Sequence, residues 1–160
     1  MAVDAETIAI EIDGEEADDL YPDVNLVEVE LDDELAAMFR IELVMSLEPD
    51  GTWSHLDDER LTPWRQATIH AGFSDGTEPL MSGYLTHVRP VFECDESQCR
   101  LEVWGLDGSV LMDREEKLKD WPDKKDSDIA AEIFRSYGFR AEVDDTSVVH
   151  DQLVSTIIQR

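Results

Sequence analysis

Three runs between Ile8 and Leu43 alternate apolar with mostly polar side chains, one residue to the next. Ile8, Ile10 and Ile12 alternate with Ala9, Glu11 and Asp13 before Gly14; Val27, Val29 and Leu31 alternate with Glu28 and Glu30; Phe39, Ile41 and Leu43 alternate with Arg40 and Glu42. A period of two belongs to a pleated strand with one face in a core and the other in water. The pattern returns at Ile69, Ala71 and Phe73, ahead of the turn sequence Ser74-Asp75-Gly76-Thr77. It continues from Leu80 to Phe92 as one strand or a bent pair interrupted at Gly83, and closes with Leu101, Val103 and Gly105. The first 105 residues therefore predict about six or seven strands.

No period survives between Ser46 and Gln66, where Pro49, Pro63 and the Asp50-Gly51 step predict a long loop. Loops of that length are functional or are ordered by a neighbour. Trp53, Leu56 and Trp64 are large apolar groups for such a segment. They either pack over their own domain or contact another subunit.

One helix follows the strands. Asp126 and Ser127 can accept hydrogen bonds from the free N–H groups of a first turn, and Asp128 is favoured there by the helix dipole, so a helix is predicted from near Asp128 to Tyr137. Ile129, Ile133 and Tyr137, with Ala130 and Phe134 one step round, make a single apolar stripe, and Gly138 suits a left-handed C-terminal cap. Arg140 to Val143 reads as a short extended piece, and Val154, Ile157 and Ile158 begin another apolar pattern. The expected fold class is β-rich α+β: an antiparallel β-barrel of about six or seven strands with one packed helix.

At 160 residues the length suits one domain. Thirty-nine acidic side chains against 13 basic ones give a net charge of −26, and residues 1–60 hold 20 acids with only Arg40 and Arg60 to offset them. Nucleic acid and anionic membrane are poor partners for such a surface. Either the acids form a solvated, salt-adapted exterior, or some of them line a channel or an assembly interface. No apolar run approaches the length of a bilayer span, the longest being Leu35 to Phe39, and Met1-Ala2-Val3-Asp4-Ala5-Glu6 lacks the basic and apolar regions of a signal peptide.

All four lysines, Lys117, Lys119, Lys124 and Lys125, fall within nine residues around Trp121-Pro122 and, with Arg114, are interleaved with Glu115, Glu116, Asp120 and Asp123. This island is either a solvated connector with local ion pairs or a docking element for an acidic neighbouring subunit. Cys94 and Cys99 bracket four residues of an expected hairpin loop, and reduced thiols are expected there. His55, His70, His87 and His150 show no ligand spacing, so no metal and no cofactor is expected. Asp57, Asp58 and Glu59 beside Trp53 and Trp64 imitate a sugar-hydrolase cleft, but in so acidic a chain carboxylates fall near aromatics by chance. No nucleophile elbow, phosphate loop or zinc-binding helix is present in the sequence, and no catalytic residue is assigned.

The run from Val103 to Phe139, with Gly105-Leu106-Asp107, then Leu111-Met112-Asp113-Arg114-Glu115, then Trp121-Pro122, then Asp126 to Phe134 and Tyr137-Gly138-Phe139, resembles the hub protein of contractile injection systems and contractile phage tails. That is the late control protein D and VgrG-like family. Asp19 to Met45 and Gly72 to Val88 are similar to further parts of it. The resemblance implies a non-enzymatic baseplate component whose tube-like barrel, residues 1–143, helps join a hexameric inner tube to a trimeric spike. Residues 144–160 would then be a connector toward a second domain. Implied partners are further copies in a trimer, the inner tube protein, the spike protein and other baseplate proteins, within a particle assembled in the cytoplasm and open to release. Trp53, Trp64, Lys117, Lys119, Trp121, Lys124 and Lys125 are the candidate subunit contacts. The competing class is a salt-adapted stand-alone enzyme, or a ligand- or carbohydrate-binding β-domain built round the Trp53 to Trp64 loop.

Overall fold

The computed structural model describes residues 7–32, 35–73, 76–114 and 117–157. Ser74 and Asp75 at the expected hairpin tip, Asp33 and Glu34, Glu115 and Glu116 of the connector, and Ile158 lie outside them. The chain forms two compact units, Met1–Gly108 and Ser109–Arg160.

The first unit is one antiparallel seven-stranded sheet. Its strands are β1 (Thr7–Ile12), β2 (Glu15–Glu16), β3 (Val24–Glu30), β4 (Met38–Val44), β5 (Gln66–Phe73), β6 (Gly76–Val91) and β7 (Arg100–Asp107), in the order β2-β1-β5-β6-β7-β4-β3. The β-rich α+β class stands, with an open sheet in place of a closed barrel: β2 and β3 end the order and do not pair with each other. A 3₁₀ helix, Asp18–Asp23, carries the chain between those two edges. At about 2 Å of rise per residue its six residues span only about 12 Å, so the sheet must curl to bring its edges near each other.

The alternation read from the sequence is the alternation observed. Ile10, Ile12, Phe39, Ile41, Leu43, Ile69, Leu101 and Val103 are buried on the inner face, and Val27 and Val29 pack against them. Ile8 and Leu31 depart from it; Ile8 lies at an outer end of β1 and Leu31 just past β3, and both are exposed. Leu80 to Val91 resolves as part of one 16-residue strand, and Phe92 lies just past its end. That strand is bent by two irregularities, where Ile69 and His70 oppose Met81 and Pro79, and where Gly105 and Trp104 oppose Leu85 and His87. Each leaves one extra residue on β6, Leu80 and Thr86, and such bulges increase local twist and curl.

The exposed edge of β1 is blunted locally. The Tyr21 hydroxyl accepts from the Ile10 N–H at 3.1 Å and donates to Glu16 at 2.8 Å, while the Ala17 N–H donates to the Ile10 carbonyl. An edge whose backbone groups are already bonded is a poor template for unwanted pairing. The loop over residues 46–65 is tied to this region. Arg60 forks between Asp19, at 2.7 and 2.8 Å, and Asp58, and His55 lies 2.8 Å from Asp23.

In the second unit β8 (Lys117–Lys125) pairs antiparallel with β9 (Val149–Ile157), and helix α1 (Asp126–Ser136) lies between them in sequence. The expected helix is present but begins two residues early. Asp126 and Ser127 do not cap it; Lys125 holds the N-cap position and makes no side-chain cap bond. Ser127 is buried and cross-links the first turn to the following chain through Thr146 and Asp145. The C-terminus follows the sequence: Gly138 has φ 82°, Phe139 N–H donates to the Phe134 carbonyl, and Gly138 N–H to the Arg135 carbonyl. That pair of bonds is a Schellman cap. Arg140 to Val143 is irregular, and the apolar pattern at Val154 belongs to β9.

Gly105 lies so close to the far end of the Phe39 ring that an added Cβ would sit 2.0 Å from its Cζ. Gly105→Ala should therefore displace a fully buried ring at the centre of the core and lower stability by about 1–3 kcal/mol. The check is the urea midpoint at unchanged slope; an alanine variant as stable as the parent would show that the ring yields freely.

Candidate functional site

The outer face of β3, β4, β7 and β6 carries a connected set of charges. Register places Glu28 opposite Arg40, Glu42 opposite Glu102, and Glu102 opposite Arg89. Arg40 bridges Glu28 and Glu42 at 3.4 Å each, Arg100 reaches Glu102 at 3.1 Å and Glu42 at 4.0 Å, and Arg89 bonds Glu102 through two nitrogens. The Glu102 side chain is only 3% exposed. Burial pushes its carboxyl up, but hydrogen bonds and charge from Arg89, then from Arg100, outweigh that and leave it below its ordinary value. Two like charges directly opposed, Glu42 and Glu102, would repel without the arginines between and beside them.

Next to this ladder lies an open groove of about 630 Å³ lined by Met38, Pro63, Val88, Trp104 and Leu106, with Thr86, His87 and Arg89 as polar members. The Arg40 guanidinium lies 5.1 Å from the Trp104 ring centroid, a cation–π distance. Sequence reasoning did not single out Arg40, Arg89, Arg100 or Trp104 as a site, because they lie far apart in the chain and only strand register unites them. The available signal was one charged or aromatic residue between two core residues, as in Phe39-Arg40-Ile41 and Leu101-Glu102-Val103.

The sequence-predicted contact residues are placed elsewhere. Trp53 packs against the first unit's core and meets Phe92 edge-on at 5.2 Å. Trp64 is 45% exposed with φ 75°, a backbone state held by its N–H donating to Leu85 and by Leu85 donating to Arg65. These two tryptophans belong to the first unit, and the four lysines and Trp121 to the second. There Trp121 is buried, 3% exposed. Lys119 and Lys124 clamp Glu132 of α1 at 2.7 and 2.8 Å, Lys125 reaches Asp145 at 3.1 Å, and Lys117 lies 4.4 Å from the Tyr137 ring centroid. Lys119 also covers the Trp121 ring at 4.0 Å. The lysine island is thus tied to its own helix and loop. Cys94 is exposed and Cys99 buried, and both are free thiols. Among the described residues no helix is long and apolar enough to cross a membrane.

Hydrogen bonds from Lys119 and then Lys124 hold the Glu132 carboxyl down to about 2. A depressed folded value means the clamp contributes fully above the ordinary carboxylate range and is lost as pH falls from about 4.5 toward 2. Glu132 should remain ionised at pH 3 in the parent and be largely protonated there in Lys119→Met/Lys124→Met. Carboxyl-carbon NMR titration reads this directly, and the same midpoint in both proteins would remove the clamp.

Residues 2–158 match the family model described as the Alg8 N-terminal domain. The fold is similar to that of the 43 kDa tail protein of prophage MuSo2 from Shewanella oneidensis, with a TM-score of 0.67 at 14% identity, over 91% of this chain and 42% of that one. The chain therefore spans less than half the length of that tail protein. No curated protein matches it.

Proposed function

The chain belongs to the Alg8 N-terminal domain family, and from that premise we propose that it is a structural component of a phage-tail-like contractile injection particle, acting in the baseplate hub between inner tube and spike. The observation that carries the reading is a sheet topology shared with a phage tail protein across nine-tenths of this chain. The sequence resemblance of Val103 to Phe139 to hub proteins supports the finer assignment to the hub.

The chemistry of such a role is fit. A subunit joining rings needs a rigid sheet, satisfied edges and surfaces that accept neighbours, and it needs no reacting group. The curled sheet, the Tyr21-blunted edge and the arginine-tied outer face meet that description. Implied partners are further copies, the inner tube protein, the spike protein and other baseplate proteins, assembled in the cytoplasm. Residues 1–143 serve in this reading as the tube-like part and 144–160 as a connector. Trp64, the more exposed of the two candidate contacts in the first unit, is the one best placed to meet a neighbour directly.

Co-production of the chain with the tube and spike proteins of the same particle should yield a complex that survives gel filtration, and particles lacking the chain should show tubes without spikes by negative-stain microscopy. Normal spiked particles in the deletion strain would overturn the assignment.

A further inference from the structure

Residues 1–108 hold 27 acidic side chains against five arginines and no lysine, a net charge of −22. Three of those five arginines, Arg40, Arg89 and Arg100, share the outer face of β4, β6 and β7, where they meet three carboxylates, Glu28, Glu42 and Glu102. The six charges cancel. The other two arginines are bonded to aspartates, Arg60 to Asp19 and Asp58 and Arg65 to Asp13. The unit's net charge thus lies outside this ladder, with Glu30, opposite Met38, the nearest unneutralised carboxylate at the β3 side of the same face.

We propose that this arginine-bearing outer face, with its adjoining groove, is the docking site for an acidic surface of a second copy of the chain, in a head-to-tail contact. The inference rests on the structural reading above and names the surface through which copies meet. Charge selects the occupant. A copy approaching with its acidic exterior meets net negative charge over the unit as a whole, whereas at the ladder the arginines cancel the local carboxylates.

The face also keeps donors to spare. The Arg89 side chain is 66% exposed and bonds Glu102 through Nε and one terminal nitrogen, so its remaining N–H groups can take a carboxylate from the neighbour. Covering the face costs nothing at Glu102, which is already out of water with Arg89 and Arg100 bonded to it. Trp104, Met38 and Leu106 supply the apolar anchor beside these charges, the residue mixture that dominates binding energy at protein interfaces. Because the docking face differs from the acidic surface it receives, each copy can use both at once, and the contact can propagate into a ring.

Sedimentation velocity over a concentration series tests this with the full chain. The parent should self-associate, and Arg89→Glu and Met38→Glu should each weaken association at least about tenfold. Met38 makes none of the ladder's ion pairs, so Met38→Glu, which places a carboxylate in the groove, decides the matter if Arg89→Glu fails to fold. Arg140→Glu, an exposed position in the second unit paired with Glu142, should change nothing. A parent that stays monomeric at about 100 µM in both low and high salt, or folded Met38→Glu protein that associates as the parent does, overturns the proposal. If Met38→Glu still enters spiked particles normally, the surface is wrong while the structural role stands; absence of the parent from such particles sinks the role itself.

Discussion

Positive charge is scarce in this chain, and the structure depends on where the few cations stand. Thirteen basic side chains face 39 acids, and several of them sit at junctions between segments far apart in sequence. Arg60 ties the long loop to the 3₁₀ helix across 41 residues, and Arg65 ties the loop's end to the β1–β2 turn across 52. Arg40, Arg89 and Arg100 link four neighbouring strands, and Lys119 and Lys124 pin α1 to β8. Single exposed pairs of this kind contribute little. Here each cation also quenches repulsion among carboxylates that folding crowds together, so its removal costs the pair and exposes the repulsion.

The strands were legible because burial on one face imposes a period of two, and Ile10, Ile12, Phe39, Ile41 and Leu43 obey it without exception. What could not be read was whatever long-range pairing decides. The extra residues Leu80 and Thr86 in β6 are ordinary in sequence, and they become bulges only because β5 and β7 fix the register on either side. β8 was hidden by its own composition. Lys-Leu-Lys-Asp-Trp-Pro-Asp-Lys-Lys has weak β-propensity and an internal proline, tolerable in a two-stranded sheet where each strand has one unpaired edge. The helix shows both outcomes. Its glycine C-cap is a local device and was read correctly, whereas Ser127, a plausible local cap, is held by Thr146 nineteen residues away.

The candidate surface was half legible for the same reason. The lysine cluster is contiguous and visible in the sequence, but its attachment to Glu132 and Asp145 depends on the fold bringing α1 and the following chain beside β8. The arginine face is the reverse. Its members are isolated in sequence, each flanked by core residues, and only the pairing of β4, β7 and β6 makes them neighbours. The loop tryptophans divide: Trp53 is captured by its own core, while Trp64 is left half in water by a backbone turn that Leu85 holds in place.

Charge also restricts how copies of this chain can be arranged. With −22 on the first unit and −4 on the second, repulsion is concentrated in residues 1–108, the same residues that hold the curled sheet. Edge-to-edge pairing alone would bring flanking carboxylates such as Glu28 and Glu30 of β3 toward those of a neighbour, and backbone hydrogen bonds carry no charge to offset them. An assembly of many copies therefore needs a contact in which arginine meets carboxylate, or enough salt to screen the remainder over the roughly 8–10 Å on which such forces act at moderate ionic strength. A sheet with an arginine-tied, aromatic-lined outer face meets the first requirement with its own residues, and only the balance is left to the solvent.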